Sequence, residues 1–515
     1  MADPRPLLPA VAAEEKAPRP FLPLETLFAW LLPVFGYLFW LLFPMSEKPF
    51  GAALLIAALY GFTFPVLLRG RCRFDLTAKL VFFSAALALL AVLLWADEFH
   101  RFLCFCYLLA AYAYLVLAGT GNTLERCWSE LVGADLLRAW FVYPFSSFCA
   151  LFRALLPRRG QGAWRVAGKL ALGLVLAVIP TWTVFSLLSF DSGFTALTKR
   201  LFSFSIGDVG EILARFCFGI PVAMYVFGLY YSSVTGAPRK DGDAQRIRAR
   251  AERRRVLPLL SACASVLPLL FVYVVFFISQ WDYYTAAFTG VLPAHLSYAQ
   301  YAREGFFQLC AVACLNFLVL LALSRYVRRR HERVVRALCV TLALFTLVLI
   351  VTALSKLWLY VAQYGLTPDR VHAAWFMLLL SLLFVLVMIK QFSPQFKALP
   401  LALALTVALF LLLALSGSNR WIARYDVERC LSGQTEQADV YMLCSLGDDA
   451  VPELLRLYAQ TEASGLHGDC AQTEYLRQAL ESRAARNDAL WERSLSSLRA
   501  ERLLREAGFA PPSGE

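Results

Sequence analysis

Stretches of about 20 predominantly apolar residues recur along the first 416 of the chain's 515 residues. Each is long enough to cross a hydrocarbon core of roughly 30 Å. Backbone groups in lipid must be bonded within their own segment, so each run is expected to be a helix. In chain order the expected spans are Leu24–Phe43, Phe50–Leu68, Leu76–Trp95, Phe102–Ala118, Val166–Ser189, Ile212–Tyr231, Val256–Ser279, Gly305–Ser324, Ala337–Val361, Val371–Ile389 and Leu399–Leu415. A chain with 59% hydrophobic and 17% charged residues and a mean hydropathy of +0.59 cannot wet the surface of a soluble globule. The expected fold class is therefore all-α: a polytopic helical membrane protein of about 11 transmembrane helices, plus a small helical C-terminal domain.

The segments between spans divide the chain further. Residues 1–20, with five prolines and no apolar core or small-residue cleavage site, are expected as a disordered cytoplasmic tail and not a signal peptide. Residues 21–119 hold four spans, 120–165 a polar connection, 166–416 seven more spans, and 417–515 the C-terminal domain. In the connection, Leu124, Cys127, Trp128, Leu131, Leu137, Trp140 and Phe141 recur at helical spacing, and Pro144 is expected to divide this helix from a second over Ser146–Leu156. Both are expected as amphipathic helices lying on the cytoplasmic leaflet.

Positive loops are retained in the cytoplasm. The N-terminal tail and alternate loops carry 29 Lys and Arg, and the intervening loops carry 6. The N-terminus is thus expected inside, and an odd number of spans puts the C-terminal domain outside. The net charge of +12 divides into +17 before residue 417 and −5 after it, so it is a signature of topology and not of nucleic-acid binding. The basic loops, above all Arg246, Arg248, Arg250, Arg253, Arg254 and Arg255, suit anionic lipid headgroups or an acidic partner.

No phosphate-binding glycine loop, nucleophile elbow or dinucleotide fingerprint is present, and no cofactor is expected. The five histidines make no metal-ligand spacing in the linear sequence, and no metal is expected. Most of the 13 cysteines lie in spans or on the reducing side and read as small hydrophobes. Cys310 and Cys314 share a helix face as packing residues. Cys430, Cys444 and Cys470, in the exterior domain, allow one disulfide and leave one thiol over.

Polar chemistry gathers at the outer ends of the spans. The candidate binding or relay cluster is Asp282, Tyr283, Tyr301, Arg303, Glu304, Lys356, Tyr360, Asp369 and Arg370. No catalytic residue is assigned. Lys356, a turn from the end of its span, must snorkel to the interface or pair with a carboxylate, and the pair could be structural or part of a relay. In Gly365–Arg370, glycine suits the left-handed residue after a helix, Thr367 a cap, Pro368 the first helical position and Asp369 the positive helix end. Arg370, a cation at that end, is expected to have an acidic partner.

Three ordered segments, Ser297–Leu309, Leu354–Arg370 and Asn419–Leu454, resemble hallmark segments of an uncharacterised family of bacterial polytopic membrane proteins, domains of unknown function of the 4153/4173 type. The resemblance covers roughly Val166–Leu454 and implies a multi-pass protein of a bacterial cytoplasmic membrane, with no established activity to carry over. Two classes of function stand: a non-enzymatic envelope protein, permease-like or a sensor or scaffold with a protein partner at its C-terminal domain, or a membrane enzyme acting on a lipid-linked or headgroup substrate at the outer interface. Membrane lipids are expected partners in either case.

Overall fold

The computed structural model describes residues 21–42, 48–69, 75–125, 129–155, 207–235, 240–279, 306–328, 332–393, 395–435, 439–463, 470–486 and 488–509, together with 173, 184 and 188. Within them the chain is helical, and the only β pairing is one isolated bridge, Leu257 with Val327. The helices are α1 (Pro23–Leu41), α2 (Pro49–Arg69), α3 (Leu76–Leu94), α4 (Glu98–Gly119), α5 (Val132–Leu137), α6 (Tyr143–Ser146), α7 (Ala150–Leu155), α8 (Gly207–Thr235), α9 (Lys240–Arg253), α10 (Leu259–Ser279), α11 (Phe306–Tyr326), α12 (Glu332–Tyr364), α13 (Pro368–Phe392) and α14 (Ala398–Leu415). The C-terminal part adds α15 (Ser418–Leu431), α16 (Val440–Ser445), α17 (Val451–Ala463), α18 (Cys470–Ala484) and α19 (Leu495–Glu506). Among the described residues nine helices are long and apolar enough to cross a membrane, and α2 is apolar over the shorter stretch Pro49–Pro65. The expected span Val166–Ser189 lies outside the described residues. The chain is an all-α polytopic membrane protein.

Two compact units form, one from Met1–Gly36 with Pro144–Gly236 and one from Tyr37–Tyr143 with Ala237–Glu515. In the first, Gly36 meets the backbone of Gly219 so closely that a Cβ would collide, which brings α1 and α8 into contact. Glu25 is fully buried there and accepts a hydrogen bond from Tyr230 Oη at 3.0 Å.

The second unit contains most of the spans. Helices α10 to α13 share one core, in which Cys339, Leu342, Ala353, Met377 and Phe384 are buried. Lipid offers apolar side chains no worse a home than a neighbouring helix does, so polar side chains add the specificity between spans. Tyr273 Oη donates to Asn316 Oδ1 at 2.7 Å, and Asn316 Nδ2 donates to Thr346 Oγ1 at 2.8 Å, joining α10, α11 and α12. Trp375 Nε1 donates to Leu409 O at 3.0 Å, joining α13 to α14, and Tyr60 Oη to Leu108 O at 2.7 Å, joining α2 to α4. Cys310 Sγ lies 3.4 Å from Met377 Sδ within this packing, as expected of a packing residue.

The connection after α4 departs from expectation twice. Among the described residues its helix starts only at Val132, and Asp135 turns inward to take the Leu124 N–H at 3.0 Å, which holds Thr123–Glu125 out of helical geometry. Pro144 does not divide the helices either. The chain runs from α5 through a π-helical turn, Arg138–Val142, into α6. A proline ring clashes with the carbonyl four residues back in α geometry, and widening the preceding turn removes that clash.

The C-terminal helices bury Ile422, Val427, Leu443, Leu454, Leu476 and Leu480 in a core of their own that also takes in Val371 of α13. Helix α15 opens at Ser418, where Gly417 takes φ +62° against the ring of Trp95. Helices α18 and α19 are separate, because Ser494 and Ser497 form a reciprocal cap that starts α19 afresh. Gly433 and Gly508 end their helices at φ 74° and 86°.

Candidate functional site: an apolar cavity and a polar junction

The turn between α12 and α13 folds as its residues dictate. Thr367 Oγ1 accepts from Arg370 N at 3.4 Å, Pro368 takes the first position of α13, and Gly365 has φ +78° with Asp426 against its Cα. Among the described residues Arg370 makes no direct ion pair, and it interacts electrostatically with the carboxylate of Asp426. Its guanidinium donates to the carbonyls of Tyr364, at 3.1 Å, and Gly365, and lies over the Tyr360 ring at 4.2 Å. The exposed carbonyls at the negative end of α12 satisfy the cation that the start of α13 disfavours. Lys356 is buried at 9% exposure, so it is not snorkelled to the surface, and Asp369 is exposed in the first turn of α13. Of the nine candidate residues the structure thus joins Tyr360 to Arg370. Asp282, Tyr283, Tyr301, Arg303 and Glu304 lie outside the described residues.

Residues not singled out in the sequence do much of the work at this junction. Asp426 of α15 accepts from Leu366 N at 2.9 Å, and Arg429 donates to the carbonyls of Val361 and Ala362 at 2.9 and 2.6 Å, capping the end of α12. Asp449 accepts from Ala96 N at 3.1 Å, in the short turn between α3 and α4, and from Ser496 Oγ. Trp95 Nε1 donates to Leu415 O at 3.1 Å. These bonds seat the C-terminal helices on the ends of α3, α4, α12, α13 and α14 that lie away from the basic loops. Burial pushes the carboxyls of Asp426 and Asp449 up to about 6 against the hydrogen bonds they accept. Of the three C-terminal cysteines, Cys444 holds a free thiol, and the Cys470 side chain lies outside the description.

A second candidate site is of another kind. A cavity of about 940 Å³ lies between α3, α4, α5 and α14, near the upper end of the roughly 300–1,000 Å³ of ordinary ligand sites. It runs beside α14 from Pro400 to Leu415, nearly the length of that helix, and along α3 from Thr77 to Leu87. Leu80, Phe83, Ala111, Ala404 and Leu411 give it apolar walls. Its acidic residues gather at one end, where the basic loops lie, as Asp75, Glu125 and Asp135 with Thr123 and Ser129, while Ser84 and Tyr107, hydrogen-bonded to each other, line its middle. Among the described lining residues three are carboxylic acids and none is Lys or Arg.

The three acids sit differently. Glu125 pairs with Arg248 of α9 and accepts from Ser129 Oγ at 2.6 Å, so the basic segment finds one acidic partner within the chain. Asp135, 2% exposed, takes Leu124 N–H and an ion pair with Arg138 at 3.3 Å, yet burial outweighs these and pushes its carboxyl up to about 6. Asp75 precedes α3 without capping it and is exposed. Beyond the mouth, Glu130 accepts from Lys390 Nζ and from Ala398 N, each at 2.9 Å, holding the α13–α14 turn against this loop. Leu137, Trp140 and Phe141 are exposed beside it, an apolar edge on α5 and the π turn.

Neither a curated protein nor a solved structure matches the chain. A family model described as a domain of unknown function (DUF4153) matches residues 82–457, which is more than the sequence resemblance covers at the N-terminal side and takes in the cavity walls of α4 and α14 as well as α15 and most of α17. The chain belongs to this family of membrane proteins.

Proposed function

We propose that the chain is a non-enzymatic membrane protein, permease-like or a sensor, that holds an amine-bearing amphiphile with its apolar part in the cavity and its amine at the Asp75–Glu125–Asp135 mouth. The observation that carries this reading is the division of the cavity lining into a long, mainly apolar body and one end that gathers three carboxylic acids, of which Glu125 and Asp135 pair with arginines outside the lining and Asp75 makes no ion pair among the described residues. Long apolar walls suit an alkyl or isoprenoid chain, and carboxylates in a partly desolvated mouth favour a cation over a neutral or anionic headgroup. The distribution of Lys and Arg supports a multi-pass protein of a bacterial cytoplasmic membrane with this mouth on the cytoplasmic side and the C-terminal helices outside. The basic loops around the mouth suit anionic headgroups of the surrounding leaflet, and the exterior helices suit an envelope protein partner.

The test fills the cavity. Ala404 is partly exposed on the cavity wall of α14, so Ala404→Phe occupies space without displacing a packed neighbour. In protein extracted from membranes and analysed by native mass spectrometry, the wild type should retain a bound amine-bearing lipid. Ala404→Phe should lose it by about tenfold or more, in line with the 1.5–3 kcal/mol of burying an apolar side chain, with an unchanged melting temperature. Equal retention by both proteins would remove the cavity from the account.

A further inference from the structure

The ends of α4 and α13 away from the basic loops bring together two histidines far apart in sequence. His100 lies in the first turn of α4, and Asp97 caps that helix, accepting from His100 N at 3.1 Å. The second oxygen of Asp97 lies 2.9 Å from His100 Nδ1. His372, in the first turns of α13, places its ring 5.0 Å from that of His100, centroid to centroid, at 74°. One donor atom from each of Asp97, His100 and His372 lies within 4.8 Å of the other two. His100 is 5% exposed, and the Nε2 atoms of both histidines are buried without a hydrogen-bond partner.

Two buried imidazole nitrogens left without partners, side by side, need an explanation, because each such group costs about 1–3 kcal/mol. Hydrogen bonding between them does not supply it, since neither Nε2 is bonded to anything. The geometry points to a divalent transition-metal site of the zinc class, with His100 and His372 as imidazole ligands through Nε2 and Asp97 as the carboxylate that orients His100. When Asp97 accepts from Nδ1–H, the His100 proton is held on that nitrogen and the Nε2 lone pair is directed at the ion, the usual support for a metal-bound imidazole. Two imidazoles suit Zn²⁺ and its neighbours better than Ca²⁺ or Mg²⁺, which take oxygen ligands.

The surroundings fit a cation. Asp369 and Asp449 lie close enough to interact electrostatically with this group, and the opposing charge of Arg101 is taken up by the carbonyls of Ala96 and Asp97. Phe99 covers one side, with its ring 4.9 Å from that of His372. An ion here fastens α4 to α13 next to the turn that Asp449 holds, so metal binding also tightens the seat of the C-terminal helices.

The test uses the full chain in detergent, stripped with a chelator and then dialysed against limiting Zn²⁺ or Co²⁺. Wild type should hold about one Zn²⁺ per chain, gain thermal stability from it, and give a Co²⁺ absorption spectrum of nitrogen and oxygen ligands. His100→Gln and His372→Gln should weaken Zn²⁺ binding by at least tenfold and lose the thermal gain. Glu130→Gln, whose partners are Lys390 and Ala398 and not the histidines, should retain both. Wild type that holds no Zn²⁺, or Co²⁺ bands of thiolate ligation, would overturn the site without recourse to any variant. So would equal binding by His100→Gln, His372→Gln and wild type.

Discussion

Asp426 shows how a single carboxyl ties two parts of the second unit. Its Oδ1 accepts from Leu366 N, while Oδ2 is buried without a partner, and burial raises its pKa to about 6. A carboxyl whose folded pKa lies above its unfolded value contributes stability in full below about 4. That contribution is lost as pH rises through about 6. Because the side chain is partly exposed, the effect is discounted for solvent screening to about 1 kcal/mol. Asp426→Asn keeps the acceptor for Leu366 and removes the charge. Its melting temperature should equal or exceed that of wild type at pH 7.5, and the difference between the two should disappear near pH 4.5. A wild-type advantage at pH 7.5 would show that the ionised form is the stabilising one. Arg370 carries a related lesson. Its place in the first turn of a helix signals in the sequence that it needs a negative partner, but the partner is the carbonyl end of α12, a group that carries no residue letter.

At the scale of elements, the joints between spans are polar, and Asn316 is the clearest. It is fully buried and links Tyr273 on α10 to Thr346 on α12. Hydrogen bonds between membrane helices are worth about 0.6 kcal/mol on average and at most about 1.7. Asn316→Leu, of similar size, should therefore lower stability in detergent by about 1–2 kcal/mol. Tyr273→Phe in that background should cost little, because its acceptor is already gone. A full, additive loss in the double variant would mean that the two side chains do not act through each other. The spans themselves, their caps and the glycine stops were legible in the sequence because each is set by local composition and backbone preference. The late start of α5 was not, since it follows from Asp135 reaching back across a loop, and neither was the π turn, which relieves the clash of the Pro144 ring.

At the scale of the whole molecule, the sequence shows a many-spanning helical protein with a helical C-terminal part, and the description bears that out. It does not show which spans are neighbours. Helix α14 packs beside α3, so the cavity is built from segments separated by some 300 residues, and neither contributes a recognisable motif. The same holds for His100 and His372. The signal at hand was a Asp97–His100 pair at the polar end of one span and a lone histidine just after the Gly365–Arg370 turn, and only the packing of α4 against α13 joins them. Of the polar cluster expected around Lys356, five members lie outside the described residues. Tyr360 and Arg370 meet, but in service of the α12–α13 turn.

The central claim is that the cavity between α3, α4, α5 and α14 takes an amine-bearing amphiphile. Photo-reactive long-chain amine and long-chain carboxylic acid, added in parallel to membranes containing the protein and mapped by mass spectrometry, test it most directly. The expected result is labelling by the amine on α3 and α14 peptides that line the cavity, competed by the unmodified amine, weakened by Asp75→Asn and weaker at pH 5 than at pH 7.5, as Asp135 takes up its proton. Equal labelling by amine and acid, spread over lipid-facing residues such as Leu260 and Phe271 of α10, would contradict it.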